Sequence, residues 1–147
     1  MTSDAIRVWA ALLRLHAQLV PEFDREVHAA TGLPLTWYDV LLELARAGDQ
    51  LRMSELAERV VLSRTRVSRL VDDMVRSGLV ARQANPDDGR SSYAVLTDEG
   101  RRQFTAAAPV YVAAVERVVA GVLPSAKLAG LADDLERLLE ASRESPH

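Results

Sequence analysis

Residues 52–97 constrain the fold of this chain more than any other stretch. Their sequence is RMSELAERVVLSRTRVSRLVDDMVRSGLVARQANPDDGRSSYAVLT. Apolar residues at helical spacing predict a short helix over 53–60 and a second helix that begins near Ser63. Turn residues between two alternating segments then predict a hairpin. Helix, turn, helix and hairpin, in that order, are the elements of a winged helix-turn-helix.

The second helix combines an apolar back with a cationic front. Ser63 can cap it, because a serine hydroxyl accepts a hydrogen bond from a first-turn amide, and Gly78 can end it. A helix that enters the major groove needs polar and cationic side chains near its N-terminus. The predicted core side consists of Val67, Leu70, Val71 and Met74, and the outer side includes Ser68 and Arg69. We predict DNA contacts from Ser63, Arg64, Thr65, Arg66, Ser68 and Arg69.

The hairpin has the position and composition of a wing. Strands predicted over 79–84 and 91–96 flank the sequence NPDDGR, whose residues are typical of turns. Arg90 lies at the predicted flexible tip, from which a guanidinium can reach into a narrow minor groove. A tip arginine is also a common solvated charge. In this context we predict that Arg90 and the adjacent Ser91 contact DNA.

The charge distribution agrees with this interpretation, although the net charge of −3 does not by itself suggest a nucleic-acid binder. Residues 52–102 contain 10 arginines and 8 acidic residues, whereas the rest of the chain contains 8 basic and 13 acidic residues. The segment predicted to meet phosphate is therefore the more positive one.

The sequence resembles the MarR family of bacterial regulators over nearly its whole length. The residues that carry the resemblance are Leu35, Thr36, Leu56, Ala57, Ser63, Val67, Arg69, Leu70, Val71, Gly78, Leu79, Val80, Arg82, Pro86, Asp87, Asp88, Gly89, Arg90, Leu96, Thr97 and Gly100. At the wing tip the family more often has Asp-Arg-Arg than the Asp-Gly-Arg found here. The resemblance implies a homodimeric repressor that binds a pseudo-palindromic operator in double-stranded DNA and is released by a small aromatic or phenolic ligand.

The flanking segments are predicted to be helical and strongly apolar on one side. A first helix from Asp4 to about Ala29 is expected to bend, or to end its first half, at Pro21. A second helix over 37–46 is expected to be capped by Thr36. A long helix is expected to be capped by Thr97, to run to about Gly121 and to be kinked at Pro109, and a last helix opens at Pro124 and frays from Ser142.

These elements predict a mainly α fold with a small β-hairpin wing. The winged helix-turn-helix region covers 35–97. A helical dimerisation region is built from both termini, over 4–30 and 98–142, because the terminal helices have wider apolar faces than one small domain needs. A leucine stripe is also compatible with an ordinary core, so the dimer rests partly on the resemblance.

Trp9, His16, Trp37, Tyr38 and Asp39 are the candidates for a ligand site. The resembled family binds small aromatic anions between its dimerisation layer and its winged domain, and one urate-responsive branch has an aspartate where Asp39 lies here. The alternative for Trp9, His16 and Trp37 is core packing. For Asp39 it is a solvated carboxylate beside Glu43 and Arg46 on the polar side of its helix.

The sequence predicts no catalytic, metal or cofactor site. It contains no cysteine, and its three histidines, His16, His28 and His147, lack metal-ligand spacing. No apolar run is long enough to cross a membrane, so we expect a cytoplasmic protein. The alternative function is a winged-helix protein-interaction module. The arginine-rich front argues against it, because protein interfaces favour aromatic and apolar anchors.

Overall fold

The computed structural model describes residues 3–60, 62 and 64–144. Their elements confirm a mainly α chain with a small sheet. In chain order they are α1 (Asp4–Thr31), α2 (Leu35–Arg46), β1 (Gln50–Arg52), α3 (Met53–Arg59), α4 (Arg64–Arg76), β2 (Val80–Ala84), β3 (Ser92–Leu96), α5 (Asp98–Val119) and α6 (Ser125–Glu144). The chain divides into two compact units, Met1–Tyr111 and Val112–His147.

Helix α1 continues through Pro21, so of the two expected alternatives the one in which its first half ends there is wrong. A proline removes one backbone donor, but the turns on either side retain their own hydrogen bonds. The helix begins at the Ser3 cap, whose side chain accepts a hydrogen bond from the Ile6 amide. Phe23 and Val27, in the second half of the helix, are buried.

Helix α2 begins two residues earlier than predicted, and Thr36 does not cap it. The cap position is Pro34, whose carbonyl oxygen accepts hydrogen bonds from the amides of Trp37 and Tyr38, both at 3.0 Å. A residue of α1 provides the missing side-chain acceptor: Asp24 Oδ1 lies 2.8 Å from the Leu35 amide. Such a distant partner satisfies a first-turn amide as well as a local cap does, but it leaves no sign in the local sequence.

The sheet has three antiparallel strands in the order β1-β3-β2. The predicted hairpin is present, with each strand beginning one residue later than expected and with Val80 paired to Leu96. The third strand, β1, was not predicted, because three residues are too few to show a period. Its Leu51 pairs with Ala94 of β3, and both residues are buried.

The core of the first unit lies between the helices and the sheet. In α4 the residues Val67, Val71 and Met74 are fully buried, and Leu70 is half-buried. An aromatic cluster joins α1, α2 and the first half of α5. The Tyr38 and Tyr111 ring centroids lie 5.1 Å apart, those of Tyr38 and Phe104 5.4 Å, and those of Phe23 and Tyr111 5.8 Å.

A tight junction connects the end of α4 to the start of α5. Gly78 ends α4 in the left-handed region, with φ of 78°. The predicted Thr97 cap is confirmed: its hydroxyl oxygen accepts a hydrogen bond from the Gly100 amide at 3.0 Å and donates one to the Gly78 carbonyl at 2.7 Å. Arg101 forms an ion pair with Asp49, the residue before β1.

The terminal helices leave large apolar side chains exposed. In α1, Trp9 is 60% exposed and Leu13 52%, and in α6, Leu138 is 59% exposed. Helix α5 ends at Val119, two residues earlier than predicted, and α6 continues to Glu144, so the prediction that the chain frays from Ser142 is wrong for residues 142–144. No helix in the described part of the chain has the length and apolarity needed to cross a bilayer.

Candidate nucleic-acid interface

The outer face of α4 presents polar and cationic side chains to solvent. Thr65, Arg66 and Arg69 are exposed, whereas Val67 and Val71 on the opposite side are fully buried. The helix begins at Arg64. Ser63, predicted both to cap this helix and to contact DNA, lies outside the described residues, as does the side chain of Arg64. The face predicted from the spacing of apolar residues is therefore present from Thr65 onward.

Ser68 does not lie on the outer face beside Arg69, as the spacing had suggested. It is half-buried against β2, because Arg82 reaches across to it from that strand. Arg82 Nη2 donates to the Ser68 hydroxyl oxygen at 2.9 Å and to the Ser68 carbonyl oxygen at 3.2 Å. It also forms an ion pair with Asp72 Oδ1 at 3.1 Å. Arg82 thus attaches α4 to β2.

Four arginines of α4 and the hairpin fall into two groups. Arg76 is paired with Asp73, and Arg82 with Asp72. In contrast, the exposed side chains of Arg69 and Arg90 form no hydrogen bond or ion pair with any residue in 3–60, 62 or 64–144. Both acids of α4 thus neutralise other arginines, and the exposed guanidinium groups of Arg69 and Arg90 lie on the helix and on the wing.

The residues of the wing tip are joined to one another by hydrogen bonds, and the flexibility expected of the tip stays a prediction. The Arg90 amide donates to Asp88 Oδ1 at 3.0 Å. Asn85 is buried at the base of the tip, and its side-chain nitrogen donates to the Ser91 hydroxyl oxygen at 2.9 Å. The Ser91 hydroxyl in turn donates to the Asp88 carbonyl at 3.3 Å. Ser91, predicted to contact DNA, is therefore part of the internal structure of the wing.

A polar cleft of about 360 Å³ opens between α3, α4 and the wing. Its walls carry hydrogen-bond donors suited to phosphate oxygens. The lining residues are Met53, Ser54, Ser68, Arg82, Arg90, Ser91 and Ser92. Ser54 and Ser92 were not anticipated from the sequence, because neither belongs to a recognisable motif and only the tertiary fold brings them together.

Comparison with known proteins agrees with this geometry. The sequence model described as "MarR family" matches residues 31–91. Sco3205 of Streptomyces coelicolor, a MarR family transcriptional regulator solved in complex with DNA, has a TM-score of 0.85 to this chain. It is 30% identical, and the match covers 96% of this chain and 89% of Sco3205. The chain belongs to the MarR family.

Two further relatives place this MarR-family chain among transcriptional regulators. AbsC of Streptomyces coelicolor has a TM-score of 0.85 and 27% identity over 99% of this chain and 98% of its own. YkoM, an uncharacterized HTH-type transcriptional regulator of Bacillus subtilis, is 30% identical over 93 residues. That match covers 63% of this chain and 60% of YkoM.

The predicted ligand residues of this MarR-family chain fall into two groups. Trp9 and His16 are exposed on the first half of α1, so the core-packing alternative is wrong for both. That half of the helix carries no buried residue, which the apolar pattern alone could not reveal. On α2, Tyr38 is buried in the aromatic cluster and Trp37 is half-buried. Burial, followed by the charge of Tyr111, raises the pKa of Tyr38.

Asp39 is not the solvated carboxylate that its helical position suggested. It is half-buried, and burial together with the neighbouring charge of Glu43 raises its pKa to about 6. Burial raises the pKa of Tyr111, and the charge of Asp39 raises it further. Glu43 lies 3.9 Å from Arg46 and 3.8 Å from Arg59, measured between side-chain oxygen and nitrogen atoms. Its negative charge is thereby shared with two arginines.

Acidic and histidine side chains do not gather into a metal site in the part of the chain that the structure describes. No group of three or more such residues is close enough to hold an ion there. His147 lies outside the described residues. The relatives YkoM and Sco3205 are transcriptional regulators.

Proposed function

We propose that this protein is a transcriptional repressor that binds a pseudo-palindromic operator in double-stranded DNA as a homodimer. The observation that carries the proposal is the pairing pattern of the arginines. Arg76 and Arg82 are neutralised by acids of α4, while Arg69 and Arg90 remain exposed and unpaired among the described residues. Unpaired guanidinium groups on a helix and on a hairpin are suited to the two grooves of DNA.

In the proposed complex α4 enters the major groove and the wing approaches the adjacent minor groove. Thr65, Arg66 and Arg69 are exposed along α4 and would meet base edges or the nearby phosphates. Ser63 and Arg64 are proposed to contact DNA from their position at the start of this helix. Arg90 would contact the minor groove, and the DNA strand between the grooves would pass over the polar cleft that includes Ser68 and Ser91.

The exposed apolar side chains of the terminal helices support the homodimer. Side chains such as Trp9, Leu13 and Leu138 are more than half exposed. Several large apolar residues exposed along one helix usually mark an interface. A twofold dimer would present two copies of α4 to half-sites about one helical turn apart. Because DNA is the proposed partner, we place the site of action in the cytoplasm.

Release of DNA by a small aromatic or phenolic ligand is also proposed. The candidate residues are Trp9, His16, Trp37, Tyr38 and Asp39. Support comes from two half-buried side chains of α2, the indole of Trp37 and the carboxyl of Asp39. The indole could pack on the aromatic ring of such a ligand, and the carboxylate could accept a hydrogen bond from its hydroxyl.

The proposal is tested by selecting bound fragments from random double-stranded DNA and measuring their affinity by fluorescence anisotropy at several salt concentrations. We expect a palindromic consensus and an affinity that falls steeply with salt, because each phosphate contact releases counterions. A variant carrying both Arg69→Ala and Arg90→Ala is the control and should lose most of the binding. Failure to enrich any sequence would contradict the proposal and favour a protein-interaction module.

A repressor is distinguished from an activator by placing the selected operator upstream of a reporter gene. We expect reporter expression to fall when the protein is produced and to recover with the double variant. A rise in expression with the wild-type protein would contradict the repressor assignment and leave DNA binding intact.

A further inference from the structure

Asn85 is a buried polar residue in a segment that is otherwise exposed. It is 7% exposed, whereas residues 86–90 are all exposed to solvent. Burying a side-chain amide is unfavourable unless its nitrogen and oxygen both find partners. An asparagine kept at such a position therefore points to hydrogen bonds that the wing needs.

The side chain and the backbone of Asn85 both bond to the wing tip. Its Nδ2 donates to the Ser91 hydroxyl oxygen at 2.9 Å, and its Oδ1 accepts from the Asp87 amide at 3.0 Å. The backbone amide donates to the Ser91 carbonyl, and the backbone carbonyl accepts from the Asp88 amide, both at 3.3 Å. One residue thus holds both ends of the loop that carries Arg90.

Arg90 lies in the sequence between Asp88 and Ser91, which both form hydrogen bonds with Asn85. Its own amide donates to Asp88 Oδ1 at 3.0 Å, and the next amide, that of Ser91, donates to the Asp88 carbonyl at 3.2 Å. Its guanidinium has no partner among the described residues. The backbone of Arg90 is therefore fixed while its charged group remains available.

We propose that Asn85 is a positioning residue that orders the wing before DNA arrives, so that Arg90 is held ready for contact. This inference rests on the proposed DNA contact of Arg90. Fixing backbone dihedral angles costs conformational entropy, and a loop that is already ordered avoids that cost on binding. Loss of the Asn85 side chain should weaken operator binding by about tenfold, the effect of ordering roughly one residue.

The first experiment is a double-mutant cycle on the full chain. Asn85→Ala, Arg90→Ala and the combined variant are compared with wild type for operator affinity and salt slope. If Asn85 acts through Arg90, the single variant Asn85→Ala weakens operator binding. Adding Asn85→Ala to Arg90→Ala then has almost no further effect. Gln83→Ala is the matched control, because Gln83 is an exposed amide on β2, and it should leave affinity unchanged.

The second experiment measures the wing directly and without DNA. Because the sequence has no cysteine, a nitroxide attached at Gly89→Cys labels the wing tip alone, and a Cβ at Gly89 meets no neighbouring atom within 4 Å. We expect restricted label motion with Asn85 present and faster motion with Asn85→Ala. If that variant does not fold, Asn85→Asp removes the Nδ2 donor and retains the Oδ1 acceptor, and it should give a smaller change in the same direction.

The outcomes separate this inference from the proposed function. If Arg90→Ala weakens binding while Asn85→Ala changes neither affinity nor label motion, the positioning role is overturned and the DNA contact stands. Equal reductions in affinity from Asn85→Ala in the wild-type and Arg90→Ala backgrounds also overturn it. If Arg90→Ala has no effect on an otherwise functional protein, the wing contact is wrong, and Asn85 has nothing to position. If the wild-type protein binds no DNA, the proposed function itself has failed.

Discussion

Gly100 lies so close to Leu79 that a Cβ at residue 100 would overlap the Leu79 carbonyl oxygen. The first turn of α5 therefore rests directly on the backbone that follows α4. The Thr97 amide also donates to this carbonyl, at 3.2 Å. The end of α4 and the start of α5 are thus joined by backbone contacts, which cannot adjust as a flexible side chain can.

We predict that Gly100→Ala destabilises the protein by about 1–3 kcal/mol, because the added methyl group must displace backbone. Gly130→Ala is the control: its Cβ meets nothing within 4 Å, and it lies inside α6. Alanine is the better helix former, so this change should stabilise the helix by up to about 1 kcal/mol. Urea unfolding at one protein concentration measures both, and equal effects would contradict the close approach.

Arg69 and Arg90 should differ in what they contribute to DNA binding. Arg69→Ala is expected to cost about 1–3 kcal/mol on the operator and to relax preference at particular base pairs, since α4 is proposed to read base edges. Arg90→Ala should weaken binding to all DNA sequences more evenly. It should also lower the slope of log affinity against log salt concentration by about one for each phosphate that is no longer neutralised. Arg76→Ala is the control, because Arg76 is paired with Asp73 at the far end of α4. Comparable reductions in affinity from all three variants would argue for a diffuse charge effect.

Dimer formation should depend on the apolar face of α6. Leu138→Glu introduces a charge on that face, and we expect it to lower dimer content and DNA affinity together. Asp133→Lys is the control, because its helical position lies roughly opposite Leu138 and it is already exposed. Sedimentation velocity at micromolar concentration provides the measurement. A wild-type protein that is folded and monomeric under these conditions would refute the dimer.

Asp39 should make the protein less stable as the pH rises from about 4 to 6. Its pKa is about 6 in the folded chain, against an ordinary value of 3.8, so the folded state binds more protons between these values. Stability from this group is therefore highest below pH 4 and is lost as the pH rises through 6. Because the group is only half-buried, solvent screening reduces the effect at pH 7 to about 1 kcal/mol.

Asp39→Asn should remove this penalty, so that the variant is more stable than wild type at pH 7 and nearly equal to it at pH 4. Thermal unfolding at the two values tests the prediction. Asp24→Asn is unsuitable as a control, because Asp24 accepts the Leu35 amide hydrogen bond. Asp133→Asn, an exposed change on α6, is suitable. A stability difference between Asp39→Asn and wild type that does not change with pH would contradict the raised pKa.

A phenolic or aromatic anion such as salicylate is expected to quench tryptophan fluorescence and to weaken operator binding over the same concentration range. Trp9→Phe and Trp37→Phe leave one indole each, because the chain has only two tryptophans, and so identify the responding residue. Since Trp37 is half-buried and Trp9 is exposed, the larger change should come from Trp37. Quenching without any change in DNA affinity would indicate an incidental site.

Local patterns in the sequence were enough to predict the principal elements. Apolar spacing identified α3 and α4, the turn residues of 85–90 identified the hairpin, and Thr97 was recognised as a helix cap. Each of these signals acts within a few residues, through a helical period, a turn conformation or a capping hydroxyl. Motifs within that range also carried the resemblance to the MarR family, which the comparisons confirmed.

The tertiary structure alone decided which side chains meet. Arg82 and Ser68 are 14 residues apart, and only the packing of β2 on α4 turns a predicted outer-face serine into a partner of that arginine. The packing of the chain likewise decided that Trp9 and His16 are exposed and that Asp39 is half-buried. A sequence period reports which residues share a face of one helix. Whether that face is covered depends on distant segments, because burial and hydrogen bonding between elements are set by how the whole chain packs.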